Sequence, residues 1–168
     1  SQGATVTTSF TLAAVNFVAP VATADTASAS EAGGVANGTA GVNPTGDVKA
    51  NDTGTSITVT KAQAGSSITG AASSVAAGST SSSSATTIAG SYGNLVIGAD
   101  GSYQYNVNNA NATVQALQIG DSIVDTFSYE ITDGSSQTTT TTLTVTINGA
   151  NDAPTVVTAP SNQTATVG

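Results

Sequence analysis

DTFSYEITDGSSQTTTTTLTVTIN, residues 125–148, decides the fold class. Phe127, Tyr129 and Ile131 alternate with Thr126, Ser128 and Glu130, and Leu143, Val145 and Ile147 alternate with Thr142, Thr144 and Thr146. A period of two sends one set of side chains to each face of an extended chain. Both runs therefore read as strands with one buried face, and Asp133-Gly134 between them reads as a turn.

Upstream, YGNLVI (92–97) and SYQYNV (102–107) flank Gly98-Ala-Asp-Gly101, the pattern of a β-hairpin with Asp100 as a turn residue. SITVTK (56–61) reads as a short strand with Ile57 and Val59 inward. Residues 62–87 are almost all Ala, Gly, Ser and Thr, and the tract Ser79–Ser84 reads as a flexible surface loop. ANATVQALQ (110–118) is the one helical-looking piece, with Val114 and Leu117 three apart and Gly120 as a stop. Residues 25–54 read as loop-rich, and residues 15–24 as an extended linker in which Pro20 forbids helix. Near the start, Ala4, Val6, Phe10, Leu12 and Ala14 share one face of an alternating stretch over 4–14. Residues 155–168 read as one more short extended segment. At least six strands with spaced turns predict an all-β protein, a β-sandwich with extended N- and C-terminal strand segments.

Composition narrows the function. Among 168 residues there are 10 Asp+Glu against 2 Lys+Arg, a net charge of -8, and no His, Cys, Met or Trp. Ser-His and Cys-His nucleophile pairs are thereby excluded, as are His- or Cys-based metal centres and disulfides. Two cations are too few for counterion-release binding to nucleic acid. No apolar run approaches the roughly 20 residues of a membrane helix. The first residues lack the basic and apolar regions of a leader peptide, which suggests a mature or excised form. The chain holds 21 Ser and 30 Thr, close to a third of its residues, and only 7% are charged. With 38% hydrophobic residues it should nonetheless fold.

An acidic chain without disulfides makes a hard, oxygen-binding cation the candidate cofactor. Asp25, Glu31, Asp52, Asp133, Asn151 and Asp152 all fall in expected loops or linkers, where irregular backbone can wrap calcium in six to eight oxygens. The competing reading is that these residues make turns and caps. Asp121, Asp125 and Glu130 invite comparison with a glycosidase carboxylate pair, but no Trp platform accompanies them and catalysis is not expected. Lys49 and Lys61, the two cations, read as exposed charges rather than partners in a Lys-Asn cross-link. Asn37, Asn51, Asn111 and Asn162 begin N-x-Thr triplets, which a Thr-rich chain produces by chance.

ATADTASASEAGG (22–34), VKAND (48–52), residues 92–134 and LTVTINGANDAP (143–154) occur in the order found in VCBS repeats, and residues 21–154 resemble that bacterial surface-protein module. The resemblance implies a cadherin-like or immunoglobulin-like β-sandwich, a secreted or cell-surface location, a role in adhesins and biofilm, and calcium at repeat junctions. Residues 4–20 resemble the last strand and linker of a preceding repeat, and 154–168 the first strand of another immunoglobulin-like domain. At the first junction Phe17-Val18 replaces the Asn-Asp pair, which speaks against calcium there.

A strand with one apolar face and no partner nearby in sequence suits strand addition to a neighbouring copy. Val6, Phe10, Leu12 and Ala14 would make that subunit contact, and head-to-tail repetition would build a homopolymeric filament. The expected function is a non-enzymatic structural subunit of an extracellular filament or adhesin. The alternative is an adhesin module that recognises carbohydrate or a host surface, with Tyr92, Tyr103 and Tyr105 as contacts. Alternation, however, directs Tyr103 and Tyr105 toward the core.

Overall fold

The computed structural model describes residues 18–152 and Gly3. The alternating stretch at 4–14, with Val6, Phe10, Leu12 and Ala14, and the segment at 155–168 lie outside the described residues.

Among the described residues nine strands form two sheets. Across the first run β1 (Asp25–Ser30), β9 (Thr138–Asn148), β8 (Ser122–Thr132), β3 (Thr58–Ala64) and β4 (Ser73–Ser74). Across the second run β2 (Thr45–Asp47), β7 (Ser102–Val107), β6 (Gly93–Ile97) and β5 (Thr86–Ala89). The stretch that decided the fold class is the spine of the first sheet. β8 and β9 pair antiparallel from Ser122↔Asn148 to Thr132↔Thr138. β1 runs parallel to β9, from Asp25↔Leu143 to Ser30↔Asn148.

The two sheets close over one core. Phe127, Tyr129, Ile131, Leu143, Val145 and Ile147 point inward from the first sheet, and Leu95, Ile97, Tyr103, Tyr105 and Val107 from the second. Each such side chain contributes about 1.5–3 kcal/mol by leaving water. Tyr105 and Phe127 meet edge to face across the layers, ring centres 5.9 Å apart. The β6–β7 hairpin forms as expected, turning through Gly98–Gly101. Asp100 caps that turn by accepting from the Ser102 N–H at 3.0 Å.

Three sequence expectations need correction. Residues 25–54 are not all loop. Asp25–Ser30 and Thr45–Asp47 are strands, and in the former Asp25, Ala27 and Ala29 face inward against outward Thr26, Ser28 and Ser30. Small Ala residues carry the buried face there, so the hydropathy alternation is faint. Residues 110–118 form consecutive turns instead of a helix. Asn111 Oδ1 accepts from the Thr113 N–H at 2.9 Å, and the Gln115 N–H reaches the Asn111 carbonyl at 3.0 Å. Val114 and Leu117 are buried all the same. The Ser79–Ser84 tract is anchored rather than loose. Ser79 is buried, its hydroxyl accepts from the Ala99 N–H at 3.0 Å, and Thr80 and Ser83 exchange two backbone hydrogen bonds.

Because β1 and β9 are parallel, the residues after both strands meet at one end, the C-terminal pole. The opposite, N-terminal pole holds the Val21–Thr53 bridge and the Asp133–Gln137 turn.

Candidate functional site

The acidic residues singled out in the sequence separate to the two poles. Toward the N-terminal pole, Tyr129 of β8 projects through the core to the strand edge. Its hydroxyl lies 2.7 Å from Asp25 Oδ2, 2.8 Å from the Val48 carbonyl and 3.4 Å from Asp52 Oδ2. Three acceptors thus surround one phenolic hydrogen. Burial and the hydrogen-bonded Asp25 carboxylate push the phenol well above its ordinary range, so Tyr129 remains a donor. Burial also raises Asp25, against the lowering effect of the Tyr129 bond, and Asp52 raises it further. Asp52 in turn accepts from the Thr23 N–H at 2.7 Å, which ties the segment before β1 to the 47–53 turn. Asp133 stands apart from this cluster. Its Oδ1 accepts from the Ser135 and Gln137 N–H groups, both at 2.8 Å, the work of a turn residue.

At the C-terminal pole the chain leaves β1 through Glu31, whose side chain is 1% exposed. The Glu31 N–H donates to the Asn148 carbonyl at 3.1 Å, and Glu31 Oε1 accepts from the Ala150 N–H at 2.9 Å. Glu31 Oε2 is buried with no partner, and so is Asp152 Oδ1. Burial raises the Glu31 carboxyl; the Ala150 N–H opposes this and the nearby Asp152 adds to it. Among the described residues neither lysine pairs with these carboxylates. Lys61 is bound to Glu130 at 3.0 Å, and Lys49 donates to the Ile57 carbonyl at 3.1 Å.

The linker after β9 is held against this pole by several bonds. The Gly34 N–H donates to the Asn151 carbonyl at 2.8 Å, and Asn148 Nδ2 donates to Ser28 Oγ and the Ala29 carbonyl at 3.0 and 2.9 Å. Gly149 packs so closely on the 117–118 backbone that a Cβ there would collide with the Gln118 carbonyl. Between Gln115–Ile119 and Ala150–Asp152 lies a cleft of about 540 Å³. Gln115 Nε2 is a third buried polar atom without a partner. Among the described residues no three of Asp, Glu, His or Cys come close enough to hold a metal by themselves. Glu31 and Asp152 are near enough to interact electrostatically, and the orphaned oxygen each carries is of the kind a hard cation such as calcium takes.

The remaining carboxylates serve the scaffold. Asp125 is buried; its Oδ1 accepts from the Ser91 N–H, and its Oδ2 from the Tyr92 N–H and the Tyr105 hydroxyl, at 3.0–3.1 Å. Gly90 must lack a side chain to admit that carboxylate. Asp121 Oδ2 accepts from the Gln118 N–H at 3.1 Å, and Glu130 faces Lys61. Of the aromatic residues considered as sugar contacts, Tyr103 and Tyr105 are core and Tyr92 is half-buried.

Sequence reasoning missed Tyr129 as a hub, because alternation marks it only as core, and Gln115, because it sat in an expected helix. No helix in the described residues is long and apolar enough to cross a membrane. A comparison with curated proteins returns no match. The bacterial cadherin-like domain matches residues 18–149, the whole sandwich from the N-terminal linker to the end of β9. Such domains are adhesion-type modules, typically extracellular and non-enzymatic. The two-sheet architecture agrees with that match, and the chain belongs to the bacterial cadherin-like domain family.

Proposed function

We propose that the chain is a VCBS-type structural module of an extracellular adhesin or filament, joined to its neighbours through both ends and stiffened by calcium at its C-terminal pole. The division into an N-terminal strand and linker (1–20), a sandwich (21–154) and the beginning of a further domain (155–168) belongs to this reading. The observation that carries it is the pair of buried, unpartnered carboxylate oxygens on Glu31 and Asp152, beside the linker that leads out of the sandwich. Each buried group left without a partner costs about 1–3 kcal/mol. A divalent cation there removes that cost and fixes the linker to the end of β1. Asn151 adds a neighbouring amide, whereas Asp25, Asp52 and Asp133 lie toward the other pole and do not join this set.

Strand donation is supported by the alternation of Val6, Phe10, Leu12 and Ala14, together with the open arrangement of both sheets. Among the described residues β1, β4, β2 and β5 each have a sheet neighbour on one side only. An incoming extended segment gains main-chain hydrogen bonds at such an edge. The carbohydrate-binding alternative loses Tyr103 and Tyr105 to the core and retains only the cleft at the C-terminal pole.

Two measurements test the proposal. Calcium added to chelator-treated protein should raise the melting temperature, and Glu31→Gln should abolish the rise; no response in the unaltered chain refutes the calcium junction. Deleting residues 1–15 should abolish polymers seen by negative-stain microscopy, whereas normal polymers from the truncated chain refute strand donation.

A further inference from the structure

The four sheet edges differ in charge. β4 and β5 end the two sheets on one side of the sandwich, where Thr86 Oγ1 donates across the layers to the Ser74 carbonyl at 3.4 Å. Both strands lie within residues 62–99, a stretch with no Asp, Glu, Lys, Arg or Pro. β1 and β2 end the sheets on the other side. Asp25 and Asp47 lie in those strands, and Pro44, Lys49 and Asp52 flank β2. Charge and proline at an edge discourage pairing with another chain. β1 is also closed at both ends. Ser30 exchanges two backbone bonds with Val42, and Asn51 Nδ2 donates to the Ala24 carbonyl at 3.3 Å.

Of the two uncharged edges, β4 has only 2 residues and β5 has 4. The β5–β6 ladder continues to Gly90, whose N–H donates to the Gly93 carbonyl at 2.8 Å. Successive residues of an antiparallel strand turn their N–H and C=O groups to alternate sides. Ile88↔Leu95 and Thr86↔Ile97 share the register of that bond, so Thr86 and Ile88 face β6 while Thr87 and Ala89 face away from it. Among the described residues no hydrogen bond engages the main chain of Thr87 or Ala89, and both residues are exposed. We propose that β5 is the edge that receives residues 4–14 of a second copy. The two segments match in charge. Residues 1–24 carry no charged side chain, and two chains of net charge -8 repel least where uncharged segments meet. In this pairing the apolar set Val6, Phe10, Leu12 and Ala14 lies on the side of the sheet where Ile88 is buried, and Ser9 lies on the side of Thr87 and Ala89. The inference rests on the strand-donation reading and names its acceptor.

The chain has no cysteine, so introduced pairs report position without background. A tagged full-length Ser9→Cys chain, mixed with a Thr87→Cys chain and oxidised, should give a mixed disulfide dimer. Thr7→Cys or Thr11→Cys takes its place where the register differs by two. Ala89→Pro removes an outward N–H and leaves the ladder to β6 intact. It should weaken copy-to-copy association about tenfold with the melting temperature kept, whereas Thr26→Pro on β1 should leave association unchanged. Should Ala89→Pro fail to fold, the disulfide carries the test. Polymerising chains that give no mixed dimer from any of the three donor positions overturn β5 as acceptor and leave strand donation standing. Loss of polymers from Thr26→Pro but not from Ala89→Pro does the same. A bond within one chain that carries both cysteines, with no dimer, makes the pairing internal and overturns the proposal. Polymers from a chain lacking residues 1–15 strike donation itself.

Discussion

Toward one end of this sandwich Asp25 and Asp52 face a phenol; at the other Glu31 and Asp152 each keep a buried oxygen without a partner. Both pairs are drawn out of bulk water, and each has one member whose carboxyl is raised chiefly by burial. The N-terminal pair is satisfied from within, by the Tyr129 hydroxyl and the Thr23 N–H. The C-terminal pair has one backbone N–H, from Ala150, and two oxygens left over. Internally closed polar clusters hold a fold together, whereas buried acceptors left over weigh against it. The difference separates scaffold from candidate site although the two pairs look alike in sequence.

Tyr129→Ala removes a core ring together with the hub of the N-terminal cluster, and should cost about 3–5 kcal/mol in chemical denaturation. If it proves mild, the closed cluster is not structural. Saturating calcium should stabilise the chain by about 2–3 kcal/mol at a hundredfold excess over its dissociation constant. Glu31→Gln should erase that gain and Asp25→Asn should preserve it; the reverse pattern would exchange the roles of the poles. Tyr129→Phe keeps the ring and removes only the hydroxyl, so it should cost about 1–3 kcal/mol.

The smallest effect is a pH slope. Asp25 and Glu31 have folded carboxyls raised above their ordinary values of 3.8 and 4.5. Their protonation therefore favours the folded chain. The contribution is complete below the ordinary values and fades as pH rises through the raised ones. Without metal, the melting temperature should fall from mildly acidic to neutral pH, and Asp25→Asn with Glu31→Gln should flatten that fall. Calcium should oppose it, because calcium binds the ionised carboxylates.

Much of the scaffold was legible beforehand for a simple reason. Large inward residues at every second position, such as Phe127-Tyr129-Ile131 and Leu143-Val145-Ile147, mark strands through hydrophobicity alone. β1 was hidden because its inward residues are Asp25, Ala27 and Ala29, whose burial is set by the pairing with β9 rather than by their own hydropathy. Val114 and Leu117 suggested a helix by spacing, yet Asn111 and its neighbours satisfy the backbone through turns while burying the same two side chains. The acidic list could be read off the chain, but its division into two poles could not. Glu31 and Asp152 are far apart in sequence and meet only because β1 and β9 run in one direction.

That shared direction has a further consequence. The chain enters the sandwich beyond one end of β1 and leaves beyond the opposite end of β9, while six residue pairs from Asp25↔Leu143 to Ser30↔Asn148 join the two strands. Tension applied through the termini acts along these rungs in shear and loads them simultaneously. That geometry resists pulling, and the cation proposed at Glu31 would add its grip at the point where the load leaves the domain.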